Sequence, residues 1–174
     1  ARASAWGSVL TAKKIKELYG LDRDQVLEAS WKFEISNLKQ IKEASAEAGS
    51  EKQKMGESFV FENSANLKFP EGLTLEAWVK PSRVGVGRIW DKITPGSGPG
   101  LLLDLHGGLR FICGGVVRMA DRTPTVGQWS HLVCTADMKS GQVRFYINGE
   151  PAGGDFSERP GIDDSEDLAV LAAW

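Results

Sequence analysis

The sequence predicts a mainly β protein, an antiparallel two-layer β-sandwich preceded by an N-terminal α-helix, and three observations predict it. From residue 29 onward, short runs alternate apolar and polar residues, the period-2 pattern of a half-buried strand. These runs recur at fairly regular intervals with Gly, Pro, Asn and Asp turn signals between them. An apolar stripe at helical spacing is confined to the first twenty residues, and no alternation of strand and helix argues for a parallel sheet.

Composition sets the outer limits. The chain has 174 residues, 41% of them hydrophobic, enough for one sizeable core. Its formal net charge of −2 supplies no basic footprint for nucleic acid. No run approaches the ~18 to 20 apolar residues that cross a bilayer, and no basic-then-apolar leader opens the chain. Because the chain starts at Ala1 directly in a helical pattern, the expectation is that a leader, anchor or preceding domain has been removed.

The elements follow in order. Val9, Ala12, Ile15 and Tyr19 share one side of a helix over residues 3–19, with Lys13, Lys14 and Lys16 off that stripe and Gly20 as its end. Trp6 and Leu10 project from nearly the opposite side, so something is expected to cover them. Asp22 and Gln25 have the spacing of a capping box for a further short turn. At Ala29 the period becomes 2: Ala29, Trp31, Phe33 and Ile35 alternate with polar neighbours. Residues 37–54 are rich in Ala, Glu, Lys and Gln and read as a surface helix or solvated loop. Residues 58–61 and 66–69 read as strands around the turn at 62–65. Residues 73–80 form a longer strand, with Leu75, Ala77 and Val79 on one face, Thr74, Glu76 and Trp78 on the other, and Pro81 as its stop. Further strands are expected at 88–93, 101–105, 109–113, 130–136 and 142–148. Asn148-Gly149 then supplies the positive φ angles of a tight I′-type turn. Residues 168–171 are the one later segment that reads as a strand. The domains are thus residues 1–22 as a helical linker, stalk or anchor continuation, and 26–174 as the sandwich, whose closure within the chain stays open. Deleting residues 1–20 is expected to leave the sandwich folded.

Three segments carry a family resemblance: Leu73-Thr-Leu-Glu-Ala-Trp-Val-Lys-Pro81, Gly127-Gln-Trp-Ser-His-Leu-Val-Cys-Thr-Ala136 and Val143-Arg-Phe-Tyr-Ile-Asn-Gly-Glu-Pro151. Together they resemble the laminin-G-like, concanavalin-A-like jelly-roll family, with pentraxin-like strand motifs. The resemblance runs from about Phe59 to Pro151. The Trp31-Lys-Phe33 run is also similar to the family's opening strand, although residues 37–54 replace a short loop rich in Gly, Asn and Asp. It implies a secreted, periplasmic or surface-displayed jelly roll that binds sugars or proteins, with catalysis rare.

Candidate chemistry is sparse. No strand carries the Glu-x-Asp-x-Glu arrangement with which glycoside hydrolases of this architecture line a cleft. Asp104 reads as a lone outward-facing strand residue, and Glu76 as isolated. Ser130, His131 and Asp137 offer the residue types of a triad, but adjacent strand residues point to opposite faces, so the Ser130 hydroxyl and the His131 ring diverge. Cys113 and Cys134 read either as two buried thiols acting as small hydrophobes or as a single cross-strand disulfide. In either reading they should lie close together, because both belong to apolar strand faces. Calcium is the candidate cofactor: hard cations take several loop oxygens, and the resemblance implies a rim site. Asp155, Asp163, Asp164, Glu166 and Asp167 form an acidic segment after the hairpin, and Glu62 and Asn63 an earlier turn. A sugar site needs a stacking aromatic beside hydrogen-bonding groups. Two sets qualify, Trp90 with Asp91 and Lys92, and Tyr146 with Arg144 and Asn148. Trp31, Trp78 and Trp129 read as structural.

The expected function is a non-catalytic carbohydrate- or protein-binding module of an exported or surface protein, joined through its helix to a neighbouring domain or to further copies. The alternative is a type IV pilin-like or pseudopilin-like subunit that displays the β domain. A glycoside-active enzyme comes third.

Overall fold

The computed structural model describes residues 2–6, 9–22, 32–36, 58–61, 69, 71–83, 85, 87–93, 100–154 and 169–172, with backbone alone for 2–6, 21–22, 32–36, 58–61 and 169–172. Twelve strands and one helix are seen among them. One sheet, sheet A, runs in the order β11-β10-β9-β4-β1-β2. Its members are β11 (Glu150–Gly154), β10 (Val143–Ile147), β9 (Ser130–Asp137), β4 (Gly72–Val79), β1 (Arg2–Trp6) and β2 (Lys32–Ser36). The other, sheet B, runs β3-β12-β5-β6-β7-β8. It comprises β3 (Ser58–Phe61), β12 (Ala169–Ala172), β5 (Arg88–Ile93), β6 (Gly100–Leu105), β7 (Leu109–Cys113) and β8 (Val116–Met119). Every pairing is antiparallel except β1 with β2.

The core is the product of period-2 alternation. Leu73, Leu75, Ala77 and Val79 of β4, Leu132, Cys134 and Ala136 of β9, and Val143 and Phe145 of β10 face Leu101, Leu103 and Leu105 of β6 and Leu109, Phe111 and Cys113 of β7 in one buried cluster. The predicted sandwich is therefore present. Its Asn148-Gly149 turn also stands as expected, with φ of 55° and 76°. Segment 169–172 closes sheet B by pairing with both β3 and β5. Strands β8 and β11 were not anticipated. Pro151 sits in β11 at the edge of sheet A, where a missing N–H leaves no ladder bond unmade.

The N-terminus differs from expectation. Residues 2–6 are a strand inside sheet A, paired residue for residue with β4 on one side and β2 on the other. Helix α1 (Ala12–Asp22) begins only afterwards. Thr11 starts it: its hydroxyl accepts from the Lys14 N–H at 3.2 Å and its carbonyl accepts from Ile15 N–H at 3.0 Å. Nor does Gly20 end it, since the helix continues to Asp22. The helical spacing of Val9 was fortuitous; Val9 is 43% exposed, whereas Ile15 is 0% exposed. Trp6 and Leu10 escaped a single stripe because Trp6 belongs to a strand and Leu10 to the connection ahead of the helix. Helix α1 stays against the sandwich. It lies on the outer face of sheet A, with Leu10 N–H donating to Thr74 Oγ1 at 3.0 Å and Lys16 paired with Glu150 at 2.7 Å. A Cβ at Gly149 would stand 3.3 Å from the Tyr19 ring, so this glycine serves both the turn and the close approach of the helix. The predicted segments 37–54 and 66–68 and the capping partner Gln25 lie outside the described residues.

Candidate functional site

Alternation in three adjacent strands builds the outer face of sheet A. On β4 it presents Thr74, Glu76 and Trp78, on β9 His131, Val133 and Thr135, and on β10 Arg144 and Tyr146. The register sets these side by side: Trp78 lies opposite His131, Glu76 opposite Val133, and Val133 opposite Tyr146. Asn148 continues the His131 row; its Oδ1 accepts from the His131 N–H at 2.9 Å and its own N–H donates to the His131 carbonyl at 2.8 Å. Three of the five predicted ligand residues, Arg144, Tyr146 and Asn148, thus meet on one face.

Helix α1 roofs that face in two unlike halves. Ile15 and Leu10 pack on Val133 and Tyr146 in an apolar patch. Beside it, the Tyr19 ring stacks on Trp78 at 5.7 Å and on His131 at 6.0 Å, with interplanar angles of 17° and 21°. The Glu76 carboxylate comes within 3.3 Å of His131 Nε2. That is ion-pair range without hydrogen-bond alignment, and among the described residues both oxygens of Glu76, both ring nitrogens of His131 and Trp78 Nε1 have no aligned hydrogen-bond partner. Glu76 is therefore not isolated, and neither it nor His131 was identified as a candidate from the sequence. The signal was present: alternation had already placed Glu76 and Trp78 on the face opposite the core. What sequence could not show was that β9 would lie beside β4 and α1 above both.

The other predicted residues are dispersed. Trp90 is in the inter-sheet core at 2% exposure, which corrects its reading as an outward stacking platform. A register shift between Arg88 and Trp90 is the cause, since a bulge lets the consecutive residues Ile89 and Trp90 both turn inward. Asp91 is engaged locally, paired with Arg88 and accepting from Ile93 N–H at 3.3 Å. Lys92 is fully buried. Asp104 does face away from the core, but it is buried and bound through both oxygens by Arg110, at 2.9 Å from Nε and 2.5 Å from Nη2. That pairing holds the Arg110 pKa above its ordinary value.

The triad types do not assemble. Asp137 serves its hairpin turn, accepting from Ser140 N–H at 3.0 Å and Lys139 N–H at 2.9 Å, and these backbone bonds lower its pKa, that from Ser140 most. Ser130 and His131 occupy opposite faces of β9, as the pleat requires.

Cys113 and Cys134 are both buried thiols in the same core cluster, close together as expected and without the disulfide held open as one reading. Burial, with a smaller contribution from the neighbouring Cys113, pushes the Cys134 pKa well up. In native protein at pH 8 both thiols are expected to resist iodoacetamide, and both should alkylate after denaturation without reductant. A mass gain at neither cysteine until a reductant is added would contradict this. Because the folded pKa of Cys134 is raised, its contribution to stability is complete below the unfolded thiol value and is lost as pH rises toward the folded one.

Among the described residues, no group of three or more His, Cys, Asp or Glu is placed to hold a metal ion. The candidate calcium ligands Glu62, Asn63, Asp155, Asp163 and Asp164 lie outside the described residues.

With this geometry in place, a laminin-G model of the concanavalin A-like lectin/glucanases superfamily matches residues 54–173. The chain belongs to this superfamily. No curated protein matches the chain. Solved structures of the superfamily fold are similar at low identity. One concerns botulinum neurotoxin type C, whose cell entry depends on interaction with two ganglioside molecules, at 15% identity, TM-score 0.51, and coverage of 66% of this chain and 31% of that one. The binding domain of botulinum neurotoxin DC in complex with rat synaptotagmin II matches at 15% identity, TM-score 0.52, and 66% and 32% coverage. A "putative carbohydrate binding protein" from Bacteroides ovatus matches at 17% identity, TM-score 0.50, and 67% and 35% coverage. The chain spans about a third of the length of these structures. At such identity the likeness is one of fold.

Proposed function

We propose that this chain is a non-catalytic recognition module of an exported or surface-displayed protein, with a glycan as its preferred ligand class and a protein as the other. The observation that carries the reading is the outer face of sheet A, where Trp78, Tyr146, Glu76, His131, Arg144 and Asn148 are gathered by strand register. Sugar recognition asks for this combination, because a pyranose has apolar faces for aromatic rings and hydroxyls for carboxylate, imidazole and amide groups. Fold relatives concerned with gangliosides and carbohydrate support it. Glycoside hydrolysis needs two carboxylates on one cleft. Here the buried Glu76 and Asp104 belong to different sheets, and Asp104 is held by Arg110.

A glycan array followed by calorimetry tests the module. Retention of one glycan class without release of reducing sugar is the expected result. Arg144→Ala, at the exposed margin of the face, should weaken that binding while leaving the melting temperature in place. Sustained polysaccharide hydrolysis, or no binding to glycan or protein, overturns the reading.

Calcium at the acidic segment and the 62–63 turn forms part of the same proposal. A ligand of the folded state alone adds RT ln(1 + [L]/Kd), about 2.7 kcal/mol at a hundredfold excess over Kd. Melts in chelator and in millimolar calcium are therefore expected to differ by several degrees. Coincident curves with no calorimetric heat remove the metal.

A further inference from the structure

The roof over sheet A is polar where a structural contact would be apolar. Where this segment simply docks, it does so through Ile15 of α1 and Leu10 of the connection on Val133 and Tyr146. Beside that patch lie a carboxylate, an imidazole and an indole N–H, Glu76 in the cross-strand row of Val133 and Trp78 with His131 in the next, at 2%, 0% and 3% exposure for Glu76, His131 and Trp78, without aligned hydrogen-bond partners among the described residues. Burying such groups unsatisfied opposes folding. Apolar residues there would serve the helix better. Among the described residues the closed state thus leaves these groups only the Glu76–His131 contact, with most of their hydrogen-bonding capacity unused.

The shape of the space is defined by what fills it. Tyr19 inserts a flat six-membered ring against Trp78 and His131, nearly parallel to both. We propose that Glu76, Trp78 and His131 form a covered binding site for a single pyranose ring, and that Tyr19 occupies it until ligand displaces the C-terminal end of α1. This rests on the glycan-binding reading and adds to it where the ring sits and how access is controlled. Ligand hydroxyls would donate to the Glu76 oxygens and pair with the His131 nitrogens, a ring or hydroxyl oxygen would accept from Trp78 Nε1, and the indole face would carry the apolar side of the sugar.

The helix is attached unevenly. Its fixed points are the Leu10 bond to Thr74, the Thr11 cap and the buried Ile15, all in or before its first turn, and the solvent-exposed Lys16–Glu150 pair follows. Immediately after Tyr19 comes Gly20, a weak helix former, and a Cβ there would meet nothing within 4 Å. Among the described contacts, the helix start is fixed by hydrogen bonds and full burial, whereas Tyr19 is held by ring stacking and its approach to Gly149.

The test uses the full chain, with methyl α- and β-hexopyranosides titrated calorimetrically and melts run in parallel. If only the open state binds, apparent affinity scales with its population. Tyr19→Ala is expected to bind at least one glycoside at least about tenfold more tightly than the unmodified protein. Gly20→Ala favours the helix without a clash and is expected to weaken binding by up to about fivefold, the equivalent of the ~1 kcal/mol helix preference of Ala over Gly. Adding Glu76→Gln to Tyr19→Ala should remove most of the gain. A folded Tyr19→Ala protein whose affinity equals that of the parent, or Gly20→Ala and Glu76→Gln without effect, overturns the covered site. Array binding by the parent that none of these substitutions moves sinks this site alone and leaves the module standing. No glycan binding by parent or Tyr19→Ala removes the covered site and the glycan as ligand class together, leaving the module only a protein ligand.

Discussion

Trp90→Ala is expected to cost the fold about 3–5 kcal/mol, lowering the melting temperature by roughly 6–20 °C for a chain of this size. The indole lies between the sheets at 2% exposure, beside Ile89 and against the leucines of β6. Truncation would leave a cavity in a layer of backbone ladders that cannot collapse without breaking register. Ligand binding per folded molecule should be unchanged. A variant that keeps its melting temperature and loses its ligand would instead place Trp90 in a binding site and contradict the core assignment.

Removing residues 1–20 is expected to have a larger effect still, taking the protein below the threshold of cooperative folding. The deletion withdraws β1 from between β4 and β2, leaving β2 without the neighbour that ties it to sheet A. It also lifts α1 from Val133, Tyr146, Trp78 and His131. A domain's net stability is only about 5–15 kcal/mol. An unpaired inner strand edge together with a bared apolar patch consumes a large part of it and invites aggregation. Urea denaturation followed by tryptophan fluorescence checks this. A cooperative transition with an unchanged midpoint would show that the N-terminal segment is an appendage, as the sequence pattern alone suggests.

Legibility in the sequence followed the physics of each signal. Where one sheet face is core, alternation is enforced residue by residue, so 109–113 was readable to the residue and 73–80 and 130–136 to within one, whereas 88–93 was bounded by its Gly- and Pro-rich flanks. The Asn148-Gly149 turn was readable because only such residues accept two successive positive φ angles cheaply. Strand β1 was not. Its five residues, rich in alanine, have no strong β preference, and the ladders of β4 and β2 supply what local propensity lacks. Strand β11 was hidden by Pro151 and its glycines, which only an edge position with a register shift tolerates.

The sequence by itself determined the class of fold, the faces of the principal strands, the tight turn and the absence of a Glu-x-Asp-x-Glu strand, because each depends on residues within a few positions of one another. The tertiary structure alone decided three matters. A bulge, set by pairing with β6, turned Trp90 inward. The neighbours chosen by β1 made an N-terminal segment part of the sandwich. The docking of α1 over β4, β9 and β10 brought Tyr19 onto Trp78 and His131, residues 59 and 112 positions away, and no local period records a contact across that distance.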